Sequence, residues 1–129
     1  MNNSEQQGGI MKTVLQLTFH NVPSSPAVEE KISEHVAKLE RLYDRIISCR
    51  VVVDIPHRNH HKGKLYHIQI DLTVPNGEIV VNRNPSDEPS HTDIYIAIRD
   101  AFDAAKRQLQ DYVDLQRGEV KTHRSQQSE

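Results

Sequence analysis

Between Tyr66 and Asn82 the chain spells out a β-hairpin, and that hairpin constrains the fold more than any other stretch. Tyr66, Ile68, Ile70, Leu72 and Val74 alternate with His67, Gln69, Asp71 and Thr73. Alternation with a period of two puts one set of side chains on each face of a strand. Pro75-Asn76-Gly77 follows, and Asn-Gly readily takes the positive φ angles of a tight turn. Glu78 to Asn82 then returns as the partner strand. One face of the hairpin is apolar and needs cover, so the rest of the chain must supply further strands and a second layer.

The remaining elements are readable in the same way. Leu15, Leu17 and Phe19 alternate with Gln16 and Thr18 over Lys12 to Phe19, a half-buried strand. Ile47, Cys49, Val51, Val53 and Ile55 alternate with Ser48, Arg50, Val52 and Asp54, a second strand that Pro56 ends. Ser24-Ser25-Pro26 opens a helix: a serine caps it, and proline suits a first turn where its missing N–H costs nothing. Glu29 and Glu30 sit early, where the helix dipole favours anions. Val28, Ile32, Val36, Leu39 and Tyr43 form its apolar stripe.

In the last helix Ile94, Ile98, Ala101, Phe102, Ala105, Leu109 and Tyr112 recur at steps of three and four. Thr92 is the expected cap, and Gly118 the latest expected end. The order is β-α-β-β-β-α. The fold class expected is α+β with two layers, a four-stranded sheet carrying two helices on one face. Residues 1–11 read as a disordered leader, 12–117 as the domain, and 118–129 as a flexible tail.

The balance of charge matters for function. With 129 residues and a net charge of −2, the chain as a whole does not attract polyanions. Binding to nucleic acid therefore requires cations segregated on one face. The single Cys49 excludes an intramolecular disulfide, and a lone cysteine in a strand reads as a small buried apolar residue. No apolar run is long enough to span a membrane, and a signal-peptide pattern is absent, so a cytoplasmic protein is expected.

Cations do gather. On a wheel of the first helix Lys31, Lys38, Arg41 and Arg45 fall on one arc, with Glu34 intruding and His35 at the border. On the last helix Arg99 and Lys106 share the edge beside the apolar stripe, while Arg107 lies on the outer face between Asp100 and Asp111. A solvated helix face with i,i+4 pairs is the bland reading. A phosphate-binding surface made by two neighbouring helices is the sharper one.

A second constellation runs from Pro56 to His67. It carries Arg58, Lys62, Lys64 and four histidines without an acid. Such a loop suits phosphates and unstacked bases, or is simply solvated. His57, His60 and His61 invite a metal, but carboxylate and thiolate ligands are missing nearby, so no metal is assigned. No nucleophile elbow, P-loop or dinucleotide fingerprint occurs, and His67 and Asp71 have no nucleophile placed beside them. Neither catalysis nor a cofactor is expected.

Three motifs, in order and at matching spacing, make the chain resemble the ribosome hibernation promoting factor family, which includes ribosome-associated inhibitor A. They are Ala37-Lys38-Leu39-Glu40-Arg41, Val74-Pro75-Asn76-Gly77-Glu78, and Asp93-x-Tyr95-x-Ala97-Ile98 running to Arg107-Gln108-Leu109. The resemblance covers roughly Leu15 to Tyr112. It implies a domain similar to double-stranded RNA-binding domains that binds the small ribosomal subunit. There it would occlude the channel for mRNA and tRNA during stress or stationary phase, reversibly and without catalysis.

Lys38, Arg41 and Arg107 match basic positions of the family. The other cations of the expected rRNA-binding set rest on the wheels and the loop: Lys31, Arg45, Arg58, Lys62, Lys64, Arg99 and Lys106. Arg99 stands where the family usually has an acid or amide, and Ala104 where it usually has a lysine. The cationic edge is therefore expected to centre on Lys106. The chain ends before any cold-shock domain or the long-form C-terminal domain, so direct ribosome dimerisation is not expected. Two other readings remain: a general module for structured RNA away from the ribosome, and a protein-interaction module, since the family was once linked to sigma-factor modulation.

Overall fold

The computed structural model describes residues 13–55, 65–82 and 93–128, with the side chains of the last helix up to Gly118. The elements are β1 (Val14–His20), α1 (Pro26–Leu42), β2 (Ser48–Asp54), β3 (His67–Val74), β4 (Gly77–Asn82) and α2 (Ile94–Ser128). The expected β-α-β-β-β-α order and two-layer α+β architecture are what the chain adopts. The leader, the loop of Arg58, Lys62 and Lys64, and Thr92 lie outside the described residues.

The sheet has the order β1-β2-β3-β4. β1 and β2 run parallel because α1 carries the chain back between them, whereas the other pairs are antiparallel. Register aligns Leu17, Val51, Ile70 and Val81 in one row across all four strands. That row faces the helices; Val51 and Ile70 are fully buried and Leu17, on the edge strand, packs against the same core. The next row, Thr18, Val52, Gln69 and Asn82, faces away.

Alternation stops at Ser48, where the chain leaves the Asp44–Arg45 turn. Ile46 enters the core in place of the expected Ile47, which stands 52% exposed. Cys49 is buried as expected. Burial, with the Asp71 carboxylate adding to it, pushes its thiol up to about 12.

Helix α1 begins as its sequence dictates. Ser25 is extended and its Oγ accepts from the Val28 N–H at 3.3 Å, with Pro26 in the first turn. Val28, Ile32, Val36 and Leu39 are buried. The helix ends at Leu42, and Tyr43 turns extended at φ −150° while its N–H donates to the Leu39 carbonyl. Arg45 therefore sits in the following turn and not on the helix wheel, a correction to the expected arc.

Two features of α2 differ from expectation. Asp93 makes the start: its carbonyl accepts from Ala97 at 3.0 Å and its Oδ1 from the Tyr95 N–H at 2.9 Å. The aspartate caps because it stands directly before the first helical residue. The helix also continues through Gly118 to Ser128, so the expected boundary at 118 is not a helix end. Glycine costs a helix about 1 kcal/mol, too little to break it among neighbours with acceptable propensity. No described helix is long and apolar enough to cross a membrane.

Candidate nucleic-acid interface

Two aromatic contacts fix how the helices lie. His35 stacks on Phe102 with centroids 4.9 Å apart, and Tyr43 meets Tyr112 edge to face at 6.0 Å. Both partners advance in the same sense, from 35 to 43 and from 102 to 112. The helices therefore run side by side in the same direction. Ala97, Ile98, Ala101, Phe102, Ala105 and Leu109 point inward, as the stripe predicts.

Helical geometry then sorts the cations. At 3.6 residues per turn, Arg99, Lys106 and Arg117 fall within about 20° of one another, just outside Phe102 on the solvent side. Lys31 and Lys38 lie one turn to either side of His35. All five are exposed. Parallel alignment brings Lys31 level with Arg99 and Lys38 level with Lys106, while Arg117, eleven residues further along α2, projects past the end of α1 at Leu42. This is a ladder of cations along the seam between the helices, its first two rungs about 10 Å apart and its third opened by Arg117 about 16 Å beyond Lys106.

The third rung is visible directly. Arg41, Tyr43, Arg45, Val113, Gln116 and Arg117 line one cleft of about 500 Å³. Arg45 thus rejoins the group from the turn. Arg117 is a residue that sequence reasoning missed. Its signal was the step of eleven from Lys106, which returns to nearly the same angle after a step of seven from Arg99.

Other expected residues are placed differently. Arg107 is exposed but about 100° further round the helix, among Asp100, Asp103, Asp111 and Asp114, and does not join the seam. Ala104 is 3% exposed and packs in the core, so this position offers no place on the cationic edge. Arg58, Lys62 and Lys64 lie outside the described residues.

The local electrostatics are cationic but not uniform. Among the described residues, Lys31 pairs with Glu34 at 3.4 Å and Arg99 with Asp100 at 3.2 Å. Exposed pairs like these are worth roughly 0–1 kcal/mol and yield readily to a phosphate. Lys38, Arg41, Lys106 and Arg117 are in none of the ion pairs formed among described residues. Burial, then Lys38 and Lys31, hold the His35 imidazole below its ordinary value, more than Asp103 and Glu34 offset. The ring is neutral at neutral pH and acts as part of the seam's floor.

The uncovered face of the sheet has a different character. There His20 Nδ1 lies 3.0 Å from Asp54 Oδ1, while Arg50 stands in register opposite Asp71, whose Oδ1 is buried with no hydrogen-bond partner among the described residues. His67 Nε2 lies 2.9 Å from Asn82 Oδ1. Among the described residues no group of three histidine, cysteine or acidic side chains converges to hold a metal.

A strand-helix-strand parallel unit, an antiparallel hairpin beside it and two helices on one face are also the frame of known proteins. A family model described as "Sigma 54 modulation protein / S30EA ribosomal protein" matches residues 15–117, most of the chain. The chain belongs to this family. It is 30% identical over 100 residues to a curated ribosome hibernation promotion factor of Deinococcus radiodurans. That match takes in 77% of this chain and 48% of the relative, so the chain spans about half the relative's length.

Solved structures share the fold. The N-terminal domain of Thermus thermophilus Protein Y aligns with a TM-score of 0.61 at 20% identity, over 78% of this chain and 98% of that one. A ribosomal subunit interface protein from Coxiella burnetii aligns with a TM-score of 0.64 at 18% identity, over 79% and 99%. Family membership bears out the resemblance carried by the Lys38–Arg41, hairpin and Asp93–Leu109 motifs.

Proposed function

We propose that this domain, residues 12–117, is a hibernation factor that binds the small ribosomal subunit through rRNA phosphates. Bound there, it occludes the channel for mRNA and tRNA under stress or in stationary phase. Two facts support the reading. The family includes a ribosome hibernation promotion factor. The cationic ladder also gives a net-acidic chain one face on which phosphates are favoured. The ladder is the observation that carries it.

The chemistry is positioning and charge, not bond making. Lys31, Lys38, Arg41, Arg45, Arg99, Lys106 and Arg117 would meet phosphate oxygens, and arginines can do so with two hydrogen bonds each. Arg58, Lys62 and Lys64, between β2 and β3 in the sequence, would add to the basic set. Arg107 would act separately, from the acidic outer face of α2 about 100° round from the seam. A protein acting on ribosomes in this way would work in the cytoplasm.

Sedimentation with isolated small and large subunits tests this. The protein should travel with small subunits. About seven phosphate contacts imply a loss of roughly 10³–10⁴-fold in affinity between 50 and 200 mM salt. Equal binding to both subunits, or salt-insensitive binding, would overturn it.

A further inference from the structure

The ladder does not end in solvent. Its third rung closes into the cleft of about 500 Å³ where α1 terminates against α2. Volumes of roughly 300–1,000 Å³ are typical of small-molecule sites, so the cleft has room for one nucleotide unit. Arg41, Arg45 and Arg117 line it, and among the described residues none of them joins a carboxylate ion pair. Of the two acids on its wall, Glu40 turns its Oε2 to the Thr13 N–H at 2.7 Å and the Thr13 hydroxyl at 2.9 Å.

Tyr43 adds an aromatic wall. Its contact with Tyr112 is edge to face, so at least one face of the Tyr43 ring is left uncovered by that partner. The end of α1 adds a third element. The Leu39 carbonyl takes the Tyr43 N–H, and Arg41 and Leu42, the last two residues of α1, line the cleft. The C-terminal end of a helix disfavours a bare anion close to it. It suits an exocyclic amino group of a base, with the phosphate held further out by the guanidinium groups.

We propose that this cleft receives a single unpaired nucleotide of RNA. Its phosphate sits on Arg41, Arg45 and Arg117, and its base lies against Tyr43. Aromatic and guanidinium planes hold unstacked bases, and single-stranded positions are where proteins read RNA most directly. The inference rests on the RNA-binding reading and deepens it. The ladder grips backbone, and the cleft at its end takes one splayed-out base.

The chain has four tyrosines and no tryptophan, so tyrosine emission has no stronger emitter over it, and the share that Tyr43→Phe removes reports on Tyr43. The probes are a six-residue single-stranded oligoadenylate, adenosine monophosphate and inorganic phosphate. Binding of the same protein to isolated small subunits is followed in parallel. Oligoadenylate should change the fluorescence and bind at least tenfold more tightly than the monophosphate, and inorganic phosphate should not compete. Arg45→Gln with Arg117→Gln, both exposed, should weaken oligoadenylate at least tenfold while the melting temperature holds.

Undiminished binding by that double variant would overturn the site. Equal affinity for free monophosphate would overturn RNA as the source of the nucleotide. No oligoadenylate binding by protein that still travels with small subunits would sink the cleft and leave the ribosomal reading standing. Cleft-dependent oligoadenylate binding without subunit binding would do the reverse.

Discussion

The His35 imidazole lies flat on Phe102, 4.9 Å between centroids and 10° from parallel, and so joins α1 to α2 at the floor of the cationic seam. The contact has an electrostatic consequence. Burial, Lys38 and Lys31 all disfavour the imidazolium. Below the ordinary value of 6.5 the unfolded chain therefore binds a proton that the folded protein resists. Stability from this site is complete above 6.5 and is lost as pH falls toward the lower folded value. Melting curves of the native protein and His35→Phe between about pH 7.5 and pH 5 should show the native protein losing more, since the phenyl ring keeps the stack without titrating.

Lys38→Glu combined with Lys106→Glu reverses the middle rung. Binding to small subunits should fall at least tenfold at moderate salt. The log–log salt slope should become shallower by about two, one unit for each lost phosphate contact. Arg107→Glu, on the acidic outer face, should change affinity much less. Salt titrations by sedimentation compare the three, and a larger loss from Arg107→Glu would show the seam to be misassigned.

Ile70 is fully buried in the row shared with Leu17, Val51 and Val81. Truncation to alanine leaves a cavity in the core beneath α2 and should cost about 2–5 kcal/mol in urea unfolding. The Cys49 thiol should react with a disulfide reagent only on opening, because burial and a pKa pushed up to about 12 leave little accessible thiolate. Its rate should rise sharply in Ile70→Ala.

Gly118 lies inside α2, and a Cβ built there meets nothing within 4 Å. Gly118→Ala should raise helicity by circular dichroism and stabilise the helix by about 0.5–1 kcal/mol. Loss of helicity would mean that the chain turns at this position.

Much of the fold was legible because it is written locally. Tyr66–Val74, Asn76-Gly77 and Ser25-Pro26 show their periods and turn chemistry within a few residues. The cap of α2 was missed by one residue because Thr92 and Asp93 are chemically alike as caps. Gly118 misled because a weak local penalty resembles a stop signal when a tail is polar. Of the cations, Arg99 and Lys106 stood out at one heptad, but Arg117 lay beyond the expected end of the apolar stripe.

The sequence by itself determined the elements, their order and the faces they bury, since alternation and helical period belong to the covalent chain. Only the tertiary structure decided which cations work together. The seam depends on the direction and register of α1 against α2, set by His35 on Phe102 and Tyr43 on Tyr112, residues more than 60 positions apart. Those contacts exist only once the sheet has buried both helices on one face. They bring Arg45 and Arg117 into one cleft and leave Arg107 outside it.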